Sequence, residues 1–343
     1  MNSNYFSMAG RMINASICCY QIHERGWQPG PPPTPPAPPV TRTVEGPNDA
    51  YFYDVIPVYQ DRVGFTQSAD TYTPAFVATG DDHINGALVG TMDDGNVVLA
   101  LRGTLPPNLT NNDFMEWIKD WAQDADIPPK SWPYLSTPGG SHTQVETGFA
   151  DAMESLWPSV LTMLTDAIST KTTGIVITGH SKGAAMTFLA ATMVAQAFPN
   201  LANSIQVYAF AAPVTGNDDF QNAYNAAPYA KNTYRYQVEN DVVPFLPLWT
   251  SADILAAIKF SDSHEEEIWL AFATFIIVET KGGYQAVGSF NYYNADHQYV
   301  NGAVVTDSAL PAVAKALMAG EYSTVANAHS AVNSYLPCFL LHE

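Results

Sequence analysis

The chemistry-bearing stretch that stands out is Gly179-His180-Ser181-Lys182-Gly183. A serine hydroxyl is a weak nucleophile until a base takes its proton and an acid orients that base. Before the pentapeptide runs Gly174-Ile-Val-Ile-Thr178, apolar and β-branched, and after it Lys182-Gly-Ala-Ala-Met-Thr-Phe-Leu, which reads as a helix start. Ser181 therefore falls where a strand turns into a helix, the context of a nucleophile elbow. Such a turn strains the serine backbone and needs small residues two before and two after it, here Gly179 and Gly183. It lifts the hydroxyl above the sheet edge and aims the Lys182 amide, at a helix N-terminus, toward a developing oxyanion.

The acid and the histidine should follow the nucleophile in that order. Asp241 lies just beyond the expected strand Thr233–Val238 and before the rigid exit Val242-Val-Pro-Phe-Leu-Pro247, the place for a triad acid. Asp218 and Asp219 read instead as helix openers. Downstream of Asp241 stand His264, His297, His329 and His342. His264 sits in the acidic run 262–267 and reads as a solvated face, and His342 as a frayed end. His297 falls where a hairpin turn is expected. His329 follows an expected helix over 309–319 and opens the apolar segment 331–340. From residue types alone, both remain open as the proton acceptor.

Stepping outward, apolar residues at helical spacing predict a helix over 8–22. Residues 29–39 hold eight prolines in eleven positions, an extended strap. A strand, a turn at Asp93-Asp94-Gly95 and a second strand are expected between Gly86 and Arg102, with further strands at 174–178, 205–210, 233–238 and 284–293. Helical stretches at 146–168 and 182–198 lie between them. Strands alternating with helices imply an α/β fold with a mostly parallel central sheet and helices on both faces. The 343 residues are read as one domain with decorations, including an insert over 251–280.

A formal charge of −19 repels phosphate backbones, so nucleic acid is not an expected partner. The apolar stretch 268–278 is too short to span a bilayer, so no transmembrane segment is expected and the protein should be soluble. Residues 1–21 lack the basic start and apolar block of a secretory signal, which leaves the compartment open, an extracellular one included.

The run Thr178-Gly-His-Ser-Lys-Gly-Ala-Ala185 resembles the elbow of the fungal-type triacylglycerol lipases, the class 3 lipase family of the α/β-hydrolase superfamily. Further blocks are similar in order: Val98-Leu-Ala-Leu-Arg-Gly-Thr104, Trp117-Ile-Lys-Asp120, Val145-Glu-Thr-Gly-Phe149, Tyr208-Ala-Phe-Ala-Ala-Pro-Val-Thr-Gly-Asn217 and Asn240-Asp-Val-Val-Pro244. Lys182 stands where the family usually has leucine, and Glu146 where it often has histidine. The resemblance implies an α/β-hydrolase fold and a carboxylic ester hydrolase, foremost a triacylglycerol lipase. It implies Ser181, Asp241 and His329 as the triad, with His297 in reserve, and Thr104 with Lys182 as the oxyanion hole. It requires no cofactor and no metal.

The same resemblance makes 105–121, with Phe114, Met115, Trp117, Ile118 and Trp121 among acids, a candidate lid at an oil–water interface; an amphipathic helix packed on the core is the alternative. It also points to a bridge from Cys18 or Cys19 to Cys338, against three reduced thiols. Two other functions stay open. One is a different esterase, such as a phospholipase A1 or an aryl or feruloyl esterase. The other is a lipase-like binding protein without catalysis.

Overall fold

The computed structural model describes residues 6–24, 38–66, 74–105, 129–136, 143–245, 284–300, 316 and 321–340. In chain order these form α1 (Met8–Cys19), β1 (Ile22–Glu24), β2 (Arg42–Glu45), β3 (Tyr51–Val55), α2 (Pro57–Val63), β4 (Ala75–Thr79), β5 (Asn85–Thr91), β6 (Asn96–Leu101), β7 (Lys130–Ser131) and β8 (Gln144–Val145). There follow α3 (Thr147–Ala167), β9 (Gly174–His180), α4 (Lys182–Ala197), β10 (Ile205–Phe210), β11 (Gly216–Asn217), α5 (Asp218–Asn225), β12 (Thr233–Val238), β13 (Tyr284–Gln285), β14 (Ser289–Tyr293), β15 (Tyr299–Val300) and α6 (Tyr322–Ala328).

The main sheet has eight strands in the order β15-β14-β12-β10-β9-β6-β5-β4. Neighbours from β6 to β14 pair in parallel, and antiparallel strands close both edges. The carboxyl ends of β6, β9, β10 and β12 therefore open on one edge, where sheets of this kind bind ligands. Strand alternation divides the core in two. Val97, Leu99, Leu101, Ile175, Ile177, Val207 and Ala209 face α3 and α4. Val98, Ala100, Val176, Tyr208 and Phe210 face α1 and the small β1–β3 sheet. Burial on both faces explains why β9 reads as an unbroken β-branched run. This is the α/β-hydrolase architecture, a mostly parallel sheet with helices on both faces.

The first helix ends at Cys19 rather than Ile22, because Ile22 opens β1 and pairs with Tyr53. Its Arg11, almost fully buried, ties the helix to the β5–β6 turn: Nη2 and Nη1 donate to Asp93 and Asp94 at 2.6 and 2.8 Å, and Nε to the Val63 carbonyl at 2.8 Å. That turn reverses through Gly95 at φ 84°. The expected single strand over 284–293 is two short ones broken at Gly288. Asp218 and Asp219 do open a helix, α5, which Asn217 caps.

The proline-rich run through residue 37, residues 106–121 of the candidate lid, the expected insert 251–280, and the expected helix 309–319 apart from residue 316 lie outside the described residues. No helix among the described residues is long and apolar enough to cross a membrane. Arg11→Met should lower unfolding stability by about 2 kcal/mol, because it strips hydrogen bonds from a buried carbonyl and two carboxylates. Urea titration of the two proteins measures it.

Candidate active site

Ser181 sits at φ 60° and ψ −132°, outside the comfortable range of an L-residue. Its amide donates to the Phe210 carbonyl at 3.0 Å, and its own carbonyl accepts from Ala184 at 2.8 Å, so strand β10 and helix α4 grip it from both sides. Two glycines allow this. A Cβ on Gly179 would run into the Gly183 backbone, and one on Gly183 into the Leu101 carbonyl. Strand and helix thus approach at backbone contact. Gly103 is equally confined, between the Tyr20 hydroxyl, the His180 carbonyl and Ser181. The segment after β6 that leads to Thr104 is thereby pressed against the serine.

His329 caps the C-terminus of α6 and places Nε2 2.9 Å from Ser181 Oγ, in position to accept the hydroxyl proton. Its Nδ1 lies 3.1 Å from each carboxylate oxygen of Asp241, the bond that orients the ring. Asp241, fully buried, follows Asn240 at φ 67° and receives two further donors. These are the Val243 amide at 3.0 Å and the Tyr335 hydroxyl at 2.5 Å. Burial and then the Asp241 charge hold the Tyr335 phenol well above its ordinary range, so it keeps its proton and donates. A buried carboxylate demands this many partners.

His297 is elsewhere, in the β14–β15 turn at φ 60°, with its amide on the Asn294 carbonyl at 2.9 Å. His264 and His342 lie outside the described residues. Thr104 is half-buried next to Gly103. Lys182 opens α4, and its ammonium donates to Asn85 Oδ1 at 2.7 Å. Glu146, in the position of the expected histidine, caps α3 by accepting from Gly148 and Phe149 at 2.8 and 2.7 Å. Cys18, Cys19 and Cys338 are free thiols. No group of three or more His, Cys, Asp or Glu among the described residues could hold a metal ion.

Tyr335, Tyr20 and His180 complete the site without having been singled out in the sequence. A signal for Tyr335 existed: a tyrosine inside an apolar run needs a partner for its hydroxyl once buried. Tyr335→Phe should cost about 1.5–3 kcal/mol of stability by denaturant unfolding, since it removes a donor from a buried charge.

The sheet order and the tight β9–α4 turn that carries Ser181 are those of the α/β-hydrolase fold. The family model described as Lipase (class 3) matches residues 98–251, which run from β6 past Asp241. The chain is 29% identical over 187 residues to phospholipase A1-II 1 of Oryza sativa subsp. indica, covering 50% of this chain and 44% of that protein. With the secreted mono- and diacylglycerol lipase A of Penicillium cyclopium the identity is 28% over 188 residues, covering 54% and 50%. The match thus spans about half the length of these relatives. Among solved structures, a mutant of MDLA from the same fungus aligns at a TM-score of 0.49 and 17% identity over 90% of this chain and 88% of that one. A Rhizomucor miehei lipase in complex with its propeptide aligns at 0.45 and 20%, over 65% and 57%.

Proposed function

We propose that this protein hydrolyses carboxylic esters of acylglycerols by acyl transfer through Ser181. The unbroken line of hydrogen bonds from Ser181 through His329 to Asp241 carries this reading. Ser181 Oγ attacks the ester carbonyl while His329 Nε2 takes its proton. Asp241 orients the imidazole and offsets its positive charge. Oxygen charge in the tetrahedral intermediate falls to the Lys182 amide, favoured by the α4 dipole, and to Thr104. His329 then returns the proton to the leaving alcohol, and the acyl-enzyme forms. Water activated by the same histidine releases the acid.

Phospholipase A1 activity is the second reading, favoured by the similarity to the rice protein of that name. An extracellular place of action accords with the fungal relative, described as secreted. Parallel assays on triacylglycerol emulsions, diacylglycerol and phosphatidylcholine vesicles decide the substrate. Failure of the folded protein on all three, and on a panel of p-nitrophenyl esters, would leave only a binding role.

Ser181→Ala should cut turnover by about 10⁴-fold or more while the thermal midpoint holds. His329→Ala should do the same and His297→Ala stay within about twofold of the parent; the opposite pattern transfers the base to His297. With residues 105–121 as an interfacial lid, the rate should rise abruptly when substrate passes from dissolved to emulsified. Simple saturation across that boundary would sink the lid.

A further inference from the structure

The residue before the nucleophile takes no part in these steps, yet it is built into the site. His180 ends β9, is 3% exposed, and lays its ring against that of His329, with centroids 4.8 Å apart and planes inclined by 38°. Tyr20, at the C-cap of α1, holds it through a 2.9 Å hydrogen bond at Nδ1. Tyr335 stands edge-on to the same ring at 5.4 Å. The backbone of His329 is a further hydrogen-bonding neighbour of this ring.

Asp241 and Ser181 secure the two nitrogens of His329 and leave the faces of its ring to be packed. One face is turned to His180. When the base takes the serine proton, positive charge appears on a ring lying against that neighbour. A neutral aromatic face stabilises a cation, whereas a second imidazolium at this distance repels it. Burial, and next the charge of His329, hold the His180 imidazole well below its ordinary range, so it stays neutral. The titratable and charged groups around it are His329 and Tyr335 from the C-terminal segment, Asp241 beyond them, Tyr20 from α1, and Cys19 and Arg102 behind Tyr20. Burial keeps Tyr20 protonated, so it confronts His180 as a neutral phenol.

On the ester-hydrolase reading above, we propose that His180 is a positioning residue for the base. Its ring, fixed by Tyr20, walls the His329 slot and stabilises the imidazolium formed during acyl transfer. The proton passes only from Ser181 Oγ to His329 Nε2 and on to the leaving alcohol; His180 neither gains nor loses one.

The test compares the full chain with His180→Phe, His180→Leu and Tyr20→Phe in kcat/KM against pH on a soluble p-nitrophenyl ester. Thermal midpoints and fluorophosphonate labelling of Ser181 run alongside. His180→Leu should lower kcat about tenfold and move the midpoint of the acid limb down by about half a pH unit, because the imidazolium loses its aromatic neighbour. His180→Phe, which keeps a ring there, should hold the parental midpoint. A Leu variant with the parental midpoint overturns the proposal, even if kcat and thermal midpoint fall, since that is the mark of packing alone. Should the Leu variant not fold, Tyr20→Phe decides. It removes one hydroxyl, and kcat should fall about threefold or more with a displaced midpoint; parental kcat and midpoint overturn the proposal. A parent protein inert toward both ester and fluorophosphonate removes the hydrolase reading itself, a result distinct from an active parent whose variants share its pH profile.

Discussion

Backbone meets backbone around Ser181, where β9 turns into α4 against the end of β6 and no Cβ fits at Gly179, Gly183 or Gly103. That close approach fixes the serine at a positive φ, a conformation that costs on the order of 1–3 kcal/mol and persists only where the surroundings over-determine it. The surroundings here are two packed cores. Helices α3 and α4 cover one face of the sheet; α1 and the β1–β3 sheet cover the other. Arg11 fastens α1 to the far end of the β5–β6 hairpin. Much of the molecule can thus be understood as what holds one unfavourable turn in place.

The second constraint is the buried carboxylate. Asp241 has no exposure to solvent, and Val243, Tyr335 and His329 together hydrogen-bond its carboxyl oxygens. Two of those three groups come from residues 329–335, so the segment that supplies the imidazole also supplies the phenol that steadies its acid. The neighbouring Tyr335 hydroxyl in addition receives the Val238 amide at 3.3 Å. Asp241, His329 and the end of β12 are thereby joined as one hydrogen-bonded group.

Legibility in the sequence followed the range of the interactions. The elbow was readable because strand, glycines and helix are contiguous, and Asp241 because it follows a clear strand. His329 and His297 were not separable from residue types alone, since what distinguishes them is contact with Ser181 across 148 positions of chain. The break at Gly288 was missed because the residues either side of it are equally β-prone. Tyr51–Val55 buries alternate residues in the structure, but its partners Ile22–Glu24 and Arg42–Glu45 are too short to announce a sheet from sequence. Tyr20 and His180 meet across 160 positions, and neither residue carries a local mark of that meeting.

The order of the parts along the chain has a consequence for biosynthesis. Ser181 and the segments around it are translated well before residue 329, whose imidazole hydrogen-bonds the serine hydroxyl. A nascent polypeptide that has emerged as far as Asp241 carries Ser181 and Asp241 but not yet the imidazole that bridges them. The hydrogen-bonded line from Ser181 to Asp241 can therefore close only once residue 329 has been made.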